Sequence, residues 1–328
     1  MGPDTSPETN LAITAAAMSG DAGGLYRLVG GLLDEGIPFD TVLFDVLIPA
    51  ESGIGLRWQQ GDVLIAEEHA ATAAVETVVA LLAGSLDQPT DGTPVVVAAA
   101  EGDAHSLPGR LIAANLLYEG YKTTFLGANV ESQDLKEYLQ SEEPSALVLS
   151  CAMPGHLLGA RRAIEASHSA GVPVLAGGRG FGESGVWGYQ IGADSWAEHP
   201  RDVPRTLSEW QPTVEASESA ARRIGPDLAM LADQRMSIIA GAQSAYLELT
   251  GDRLGPRLGS ETKQLLSAVE AAVLVADPAV VAQTLSWQRE MLASQGVPNH
   301  QHVLKSLARA LSDHSVEAAE MLEAGSRT

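Results

Sequence analysis

Between residues 95 and 197, short apolar runs recur, separated by stretches with helical spacing. The clearest is 95–100, Val-Val-Val-Ala-Ala-Ala, which lacks the alternation of a strand with one wet face. A run of this kind suits a strand buried on both faces. Further strands are expected at 122–126, 146–151, 173–176 and 194–197, with helices at about 109–119, 131–140, 157–170, 181–191 and 201–210. Five strands alternating with five helices predict a doubly wound parallel sheet. Ligands of such sheets sit at the carboxyl ends of the strands, beside the topological switch.

The flanks are helical. Leu25, Leu28, Val29, Leu32 and Leu33 recur at helical spacing until Gly36 and Pro38. A second run, Val42, Leu43, Val46 and Leu47, is expected to stop at Pro49, and a third, alanine-rich one covers 63–86. Four short helices here predict a small bundle. Residues 88–94, Gln-Pro-Thr-Asp-Gly-Thr-Pro, read as a linker. From Pro212 onward helices are expected at 227–249, 261–276, 279–294 and 300–323. The organisation is therefore α/β plus all-α, with a bundle at 1–90, a sheet domain at 91–212 and a helical domain at 213–328.

Charge and cysteine content narrow the function. In 328 residues, 42 Asp and Glu face 20 Lys and Arg, a net −22 that repels phosphate backbones and argues against nucleic-acid binding. The single cysteine, Cys151, excludes an intramolecular disulfide and any cysteine-clustered zinc or iron–sulfur centre. No apolar run approaches the ~18 residues of a membrane span. Residues 1–10 carry acids and prolines rather than a basic leader. A soluble cytoplasmic protein that acts on neither membrane nor nucleic acid is expected.

After the first predicted strand comes Glu101-Gly102-Asp103-Ala104-His105-Ser106-Leu107-Pro108-Gly109. A histidine there can ligate a metal, and a carboxylate two residues earlier can accept its other ring proton and fix the tautomer. Asp-x-His alone is common in solvated loops. Here it is followed by Ser150 with Ala152, and by Gly177-Gly178, each at the end of a predicted strand. The set resembles the cobalamin-binding domain, whose signature is Asp-x-His-x-x-Gly, Ser-x-Leu and Gly-Gly. That resemblance implies a flavodoxin/Rossmann-like sheet with His105 as the lower cobalt ligand. Asp103, Ser106, Leu107, Ser150, Ala152, Gly177 and Gly178 would surround the cofactor and its displaced nucleotide tail. Two positions depart from the pattern: Pro108 stands where the motif has glycine, and Ala152 where it has leucine.

In the bundle, Ile65, Glu68 and His69 share one helix face, shortly after Trp58. In isolation they read as a tryptophan cap with a solvated Glu-His pair. Ahead of a cobalamin domain they resemble the light-sensing cobalamin repressors (CarH-like), in which such residues enclose a 5′-deoxyadenosyl group. The resemblance implies adenosylcobalamin, with Trp58 packed on the adenosyl group and Glu68 and His69 bonded to it. Gln59 stands where that family has a histidine able to capture cobalt, and 1–90 leaves no room for its DNA-reading domain.

The helical segment after 213 has an apolar seam of Leu228, Leu231, Ile238, Ala242, Ala245 and Leu249, with Arg235 on the same stripe. A charge there needs a carboxylate, an interface or an anionic ligand. A second seam holds Val281, Leu285, Gln288 and Leu292, and Trp287 is turned off it, toward a partner chain or a flat ligand. With Tyr246, His300 and His302 these residues could hold a flat anionic tetrapyrrole. A CarH-like module followed by a helical domain resembles the photocobilins, which implies a bilin such as biliverdin. With Cys151 in the sheet domain, that bilin would be noncovalent. The expected function is a photoreceptor rather than an enzyme, a homodimer or higher oligomer signalling to an unidentified protein. The alternatives are a corrinoid carrier for a methyltransferase system, or a cobalamin sensor with a ligand-free output bundle.

Overall fold

The computed structural model describes residues 7–87, 89–210, 225–294, 296 and 300–327. The first segment is a helical cap of α1 (Pro7–Met18), α2 (Ala22–Asp34), α3 (Phe39–Thr41), α4 (Ile48–Gln59) and α5 (Ile65–Gly84). Pro49 does not end its run as the sequence suggested. A π-helical stretch, Val42–Leu47, joins α3 directly to α4, and Pro49 falls in the first turn of α4. The wider π turn absorbs the ring that would clash with a regular helix, and a first-turn proline needs no amide donor.

Next come β1 (Pro94–Ala99), α6 (Leu107–Tyr118), β2 (Lys122–Gly127), α7 (Ser132–Glu142), β3 (Ala146–Ser150), α8 (Leu157–Ser169), β4 (Val174–Gly177), α9 (Val186–Gln190), β5 (Ser195–Ala197) and α10 (Val203–Glu209). The sheet is parallel throughout, in the order β2-β1-β3-β4-β5. Its switch point therefore lies between β1 and β3. Both faces of β1 are covered, as its unbroken apolar run required. Val95 and Val97 meet Ile112, Leu116 and Val203, while Val96 and Ala98 meet Leu135, Leu139 and Ile164.

Helix α6 is buried on two sides and so fixes the cap. Its Ile112, Ala113 and Leu116 face the sheet, while Leu107, Leu111 and Ala114 join the core of the cap. Arg201 adds a tether, donating to Asp45 Oδ2 at 2.7 Å and lying 3.3 Å from Asp40.

The remaining helices are α11 (Pro226–Thr250), α12 (Pro256–Val275), α13 (Ala279–Ser294), α14 (His300–Ser312) and α15 (Val316–Arg327). The expected 300–323 helix is two, because Ser315 caps a new start: its Oγ accepts from the Ala318 amide at 3.1 Å and donates to Asp227. The apolar cluster under the sheet continues into this region through Leu231, Leu265, Val269 and Leu285. Trp187, buried among the sheet helices, donates its Nε1–H to Asp277 Oδ2 at 2.9 Å. Among the described residues, no helix is long and apolar enough to cross a membrane.

Candidate functional site

The loop leaving β1 at the switch point carries Asp103 and His105. Asp103 is fully buried, yet its carboxylate is well supplied with donors. Oδ1 accepts from His105 Nδ1–H at 2.6 Å and from the His105 amide at 3.0 Å. Oδ2 accepts from the Ala152 amide, at the end of β3, at 2.6 Å. Burial alone would raise this carboxyl, but the His105 ring, the nearby His156 and the two amides outweigh it. They hold Asp103 far below the usual carboxylate range. In return the bond from Asp103 raises His105 above an ordinary histidine. With Nδ1–H committed to Asp103, the Nε2 lone pair of a half-exposed ring is left for a ligand.

Around this pair the structure assembles most of the sequence-predicted set. Ser150, Gly177 and Gly178 end β3 and β4 beside the loop, in register as Ser150 opposite Gly177. Gly178 has φ +109°, and a Cβ on it would overlap the Cys151 carbonyl. The Ser106 hydroxyl reaches across to the Glu76 carboxylate on α5, and Leu107 packs into the core of the cap. Both therefore join cap to sheet domain. Pro108 falls in the first turn of α6, where proline is tolerated.

On the cap side, the first turn of α5 presents Ile65 and His69 exposed, with His69 Nδ1 2.7 Å from Glu68. Glu68 lies close enough to His105 for its charge to help raise that imidazole, while the Arg179 charge opposes it. Thus α5 comes close to the loop that carries His105. The Trp58 ring packs against Trp287 of α13, tilted by 42° at 5.9 Å between centroids. The indole expected to need a second ligand is met by one from the cap.

Of the other residues assigned to a tetrapyrrole, Arg235 and Tyr246 are accounted for internally. Arg235 pairs with the buried Glu270 carboxylate and donates to Ser267 Oγ at 2.8 Å, so its neutralising partner is a carboxylate. Tyr246 is a core residue, 4% exposed, rather than off the core. It occupies the seam where Leu249 was expected, and Leu249 is instead exposed. His302 is half-buried, and the His300 side chain lies outside the described residues. Cys151 is fully buried, and burial pushes its thiol up, away from the reactive thiolate.

Three contributors escaped the sequence reading. His156, in a 3-10 turn after β3, places Nδ1 3.5 Å from Asp103 Oδ1. Asn129, at φ +52°, accepts from the Gly102 amide at 2.7 Å and braces the loop. Arg162 donates to Glu101 Oε1 at 2.8 Å. The signal for His156 was present: both strands flanking a switch point deliver ligands, so a histidine after β3 merits the same attention as one after β1.

These residues fit a corrinoid. Among the described residues, no group of three or more His, Cys, Asp or Glu is arranged to hold a bare ion. A metal at His105 would have to bring its own equatorial ligands, as a corrin does.

Known proteins agree. Residues 93–203 match the family model of a B12 binding domain, and residues 11–83 match a second B12 binding domain model. The chain is a cobalamin-binding protein, a helical cap followed by a Rossmann-like B12 domain. Among its relatives, a corrinoid protein of Desulfitobacterium hafniense is 23% identical over 57% of this chain and 90% of its own length. The monomethylamine corrinoid protein 2 of Methanosarcina acetivorans is 24% identical over 61% and 96%. The structure of the Methanosarcina barkeri monomethylamine corrinoid protein superposes with a TM-score of 0.51 at 20% identity, over 60% of this chain and 95% of that one, which supports the shared fold.

Proposed function

We propose that the chain is a corrinoid carrier that presents a one-carbon group to a methyltransferase partner. The observation that carries this reading is the Asp103–His105 pair, which leaves Nε2 free to act as a lower ligand on the side of the sheet domain that the start of α5 approaches. Bound there, the corrinoid supplies a cobalt centre able to accept and give up a methyl group. The chain's own part is to hold His105 in one tautomer, brace its loop through Asn129 and Ala152, and keep water from the cofactor with the cap. Relatives spanning the cap and sheet domain are named as corrinoid proteins, two of the kinds for monomethylamine and trimethylamine.

One observation favours a second reading, in which adenosylcobalamin is bound and light breaks its cobalt–carbon bond. Glu68 and His69 form a hydrogen-bonded pair on the cap face nearest His105, where a nucleoside could be held. The bilin component has less behind it. Of the residues assigned to it, Arg235 is paired with Glu270 and Tyr246 lies in the core.

Absorbance titrations of the full chain with methyl- and adenosylcobalamin, in the dark and after green illumination, separate the two. The carrier reading expects imidazole-ligated methylcobalamin, bound at least as tightly as the adenosyl form. A tenfold preference for adenosylcobalamin, with a light change beyond that of the free cofactor, would replace it with the sensor reading.

A further inference from the structure

The cap is fastened at two ends, and the two fastenings differ in kind. At one end it is fused to the sheet domain by an apolar core. Leu107, Leu111 and Ala114 are buried in the cap cluster, Phe39 stacks on Tyr118 at 5.0 Å, and Arg201 ties Asp40 and Asp45. At the other end, the last turn of α4 is gripped by α13. Trp58 packs at a tilt against Trp287, Gln59 Nε2 donates to Glu290 Oε2 at 2.7 Å, and the Ser294 hydroxyl donates to the Gln59 carbonyl.

This second fastening is thin. Glu290 and Ser294 are exposed, and Trp58 and Trp287 are only half-buried, at the edge of a small cluster around Tyr246, Leu258 and Met291. Among the described residues, Trp58 is the cap's sole member of that cluster. Its position is what gives it leverage. Five residues separate Gln59 from α5, whose first turn carries Ile65, Glu68 and His69. Gly61, at φ +82°, makes the turn, and its amide bonds back to the Trp58 carbonyl. A movement of Trp58 therefore carries the start of α5 with it, while the apolar end acts as the hinge.

We propose that α13 is a latch: Trp287, Glu290 and Ser294 hold the cap closed over the upper face of the corrin. The cap opens when α13 releases the end of α4. The inference rests on the corrin lying between the cap and the sheet domain. Few, exposed and mostly polar contacts suit a junction made to break, whereas a buried apolar seam does not. The helical domain thereby acts on the cofactor without touching it.

Access to the upper face can be read by cyanide. The full chain is loaded with hydroxocobalamin, and the rate of cyanide substitution is followed by absorbance. Trp287→Ala, which removes the ring contact, should speed substitution by about three- to tenfold, and the exposed pair Glu290→Ala with Ser294→Ala by at least about tenfold, the factor of one lost charge-assisted hydrogen bond. Amide exchange across 58–68 should rise in step, and the imidazole-ligated spectrum should persist. The double variant, lying on the surface, guards against a folding defect in the first. If both leave rate and exchange within twofold of the parent, the latch is wrong. If the parent reacts as fast as free hydroxocobalamin, the cap does not cover the corrin, and the reading beneath the latch falls with it.

Discussion

Replacing Asp103 with Asn tests the site through a conflict that the structure makes unavoidable. Three N–H groups converge on the carboxylate, two on Oδ1 and one on Oδ2. An amide of the same shape has one acceptor oxygen and one NH2. If the oxygen turns toward the Ala152 amide, the NH2 faces His105. The ring must then accept at Nδ1, its proton moves to Nε2, and it cannot ligate cobalt. If the oxygen turns toward His105, the Ala152 amide is left facing a donor inside a fully buried site, at a cost of about 1–3 kcal/mol. The first route loses the ligand and leaves the His105 amide facing a donor as well, and the second loses stability alone. Substituting such a supporting carboxylate typically weakens metal affinity about 10–100-fold, or roughly 1.4–2.7 kcal/mol. Absorbance titration with hydroxocobalamin measures the first, and urea denaturation of the cofactor-free protein measures the second. A variant that keeps the parent's imidazole-ligated spectrum, its affinity within twofold and its urea midpoint would refute the assignment of Asp103.

Two further substitutions probe the support of the same loop and the charge of the cap. In Gly159→Ala, the new Cβ on α8 would overlap the Glu101 carbonyl just before Asp103, and backbone cannot yield as a side chain can. A loss of about 1–3 kcal/mol in urea unfolding is expected, with weaker cobalamin binding; a change below about 0.5 kcal/mol would show that the loop has slack. Burial pushes the Glu51 carboxyl up, with the Glu68 and Glu76 charges adding to it and the Thr72 hydroxyl opposing. A raised carboxyl makes the folded state the better proton binder, so its ionisation costs stability above the folded pKa and nothing below the unfolded value. Glu51→Gln should therefore melt higher than the parent at pH 7.5, with the difference closing by pH 4; a constant difference across that range contradicts the assignment.

The sheet was legible because its causes are local. A strand covered on both faces must be apolar at every position, and 95–100 showed this without reference to anything distant. The Asp103–His105 pair was legible too, since both partners lie in one loop and share one bond. His156 was not, because its relation to Asp103 exists only once β1 and β3 lie side by side. Pro49 misled for a related reason: the residue that normally ends a helix was accommodated by a π turn that no pattern of apolar spacing announces.

The tryptophans show where periodicity stops. Spacing placed Trp287 off the seam of its helix with an unmet apolar face, while Trp58 read as a cap near the end of another helix and was given to the adenosyl group by resemblance. It could not say that, 229 positions apart by their numbers, the two rings meet each other. Arg235 is the same case in charge: its stripe demanded a neutralising partner, and Glu270 on the next helix is that partner. In both cases the demand was correct and its answer lay within the chain. Helical spacing identifies surfaces that must be covered, and a folded chain of several domains covers many of them itself. An off-core aromatic or a striped arginine becomes evidence for a ligand only when no other element of the same chain reaches it. By that criterion, His105 Nε2 remains the strongest claim on a ligand among the residues singled out here, because its ring is half-exposed and its other nitrogen is already committed.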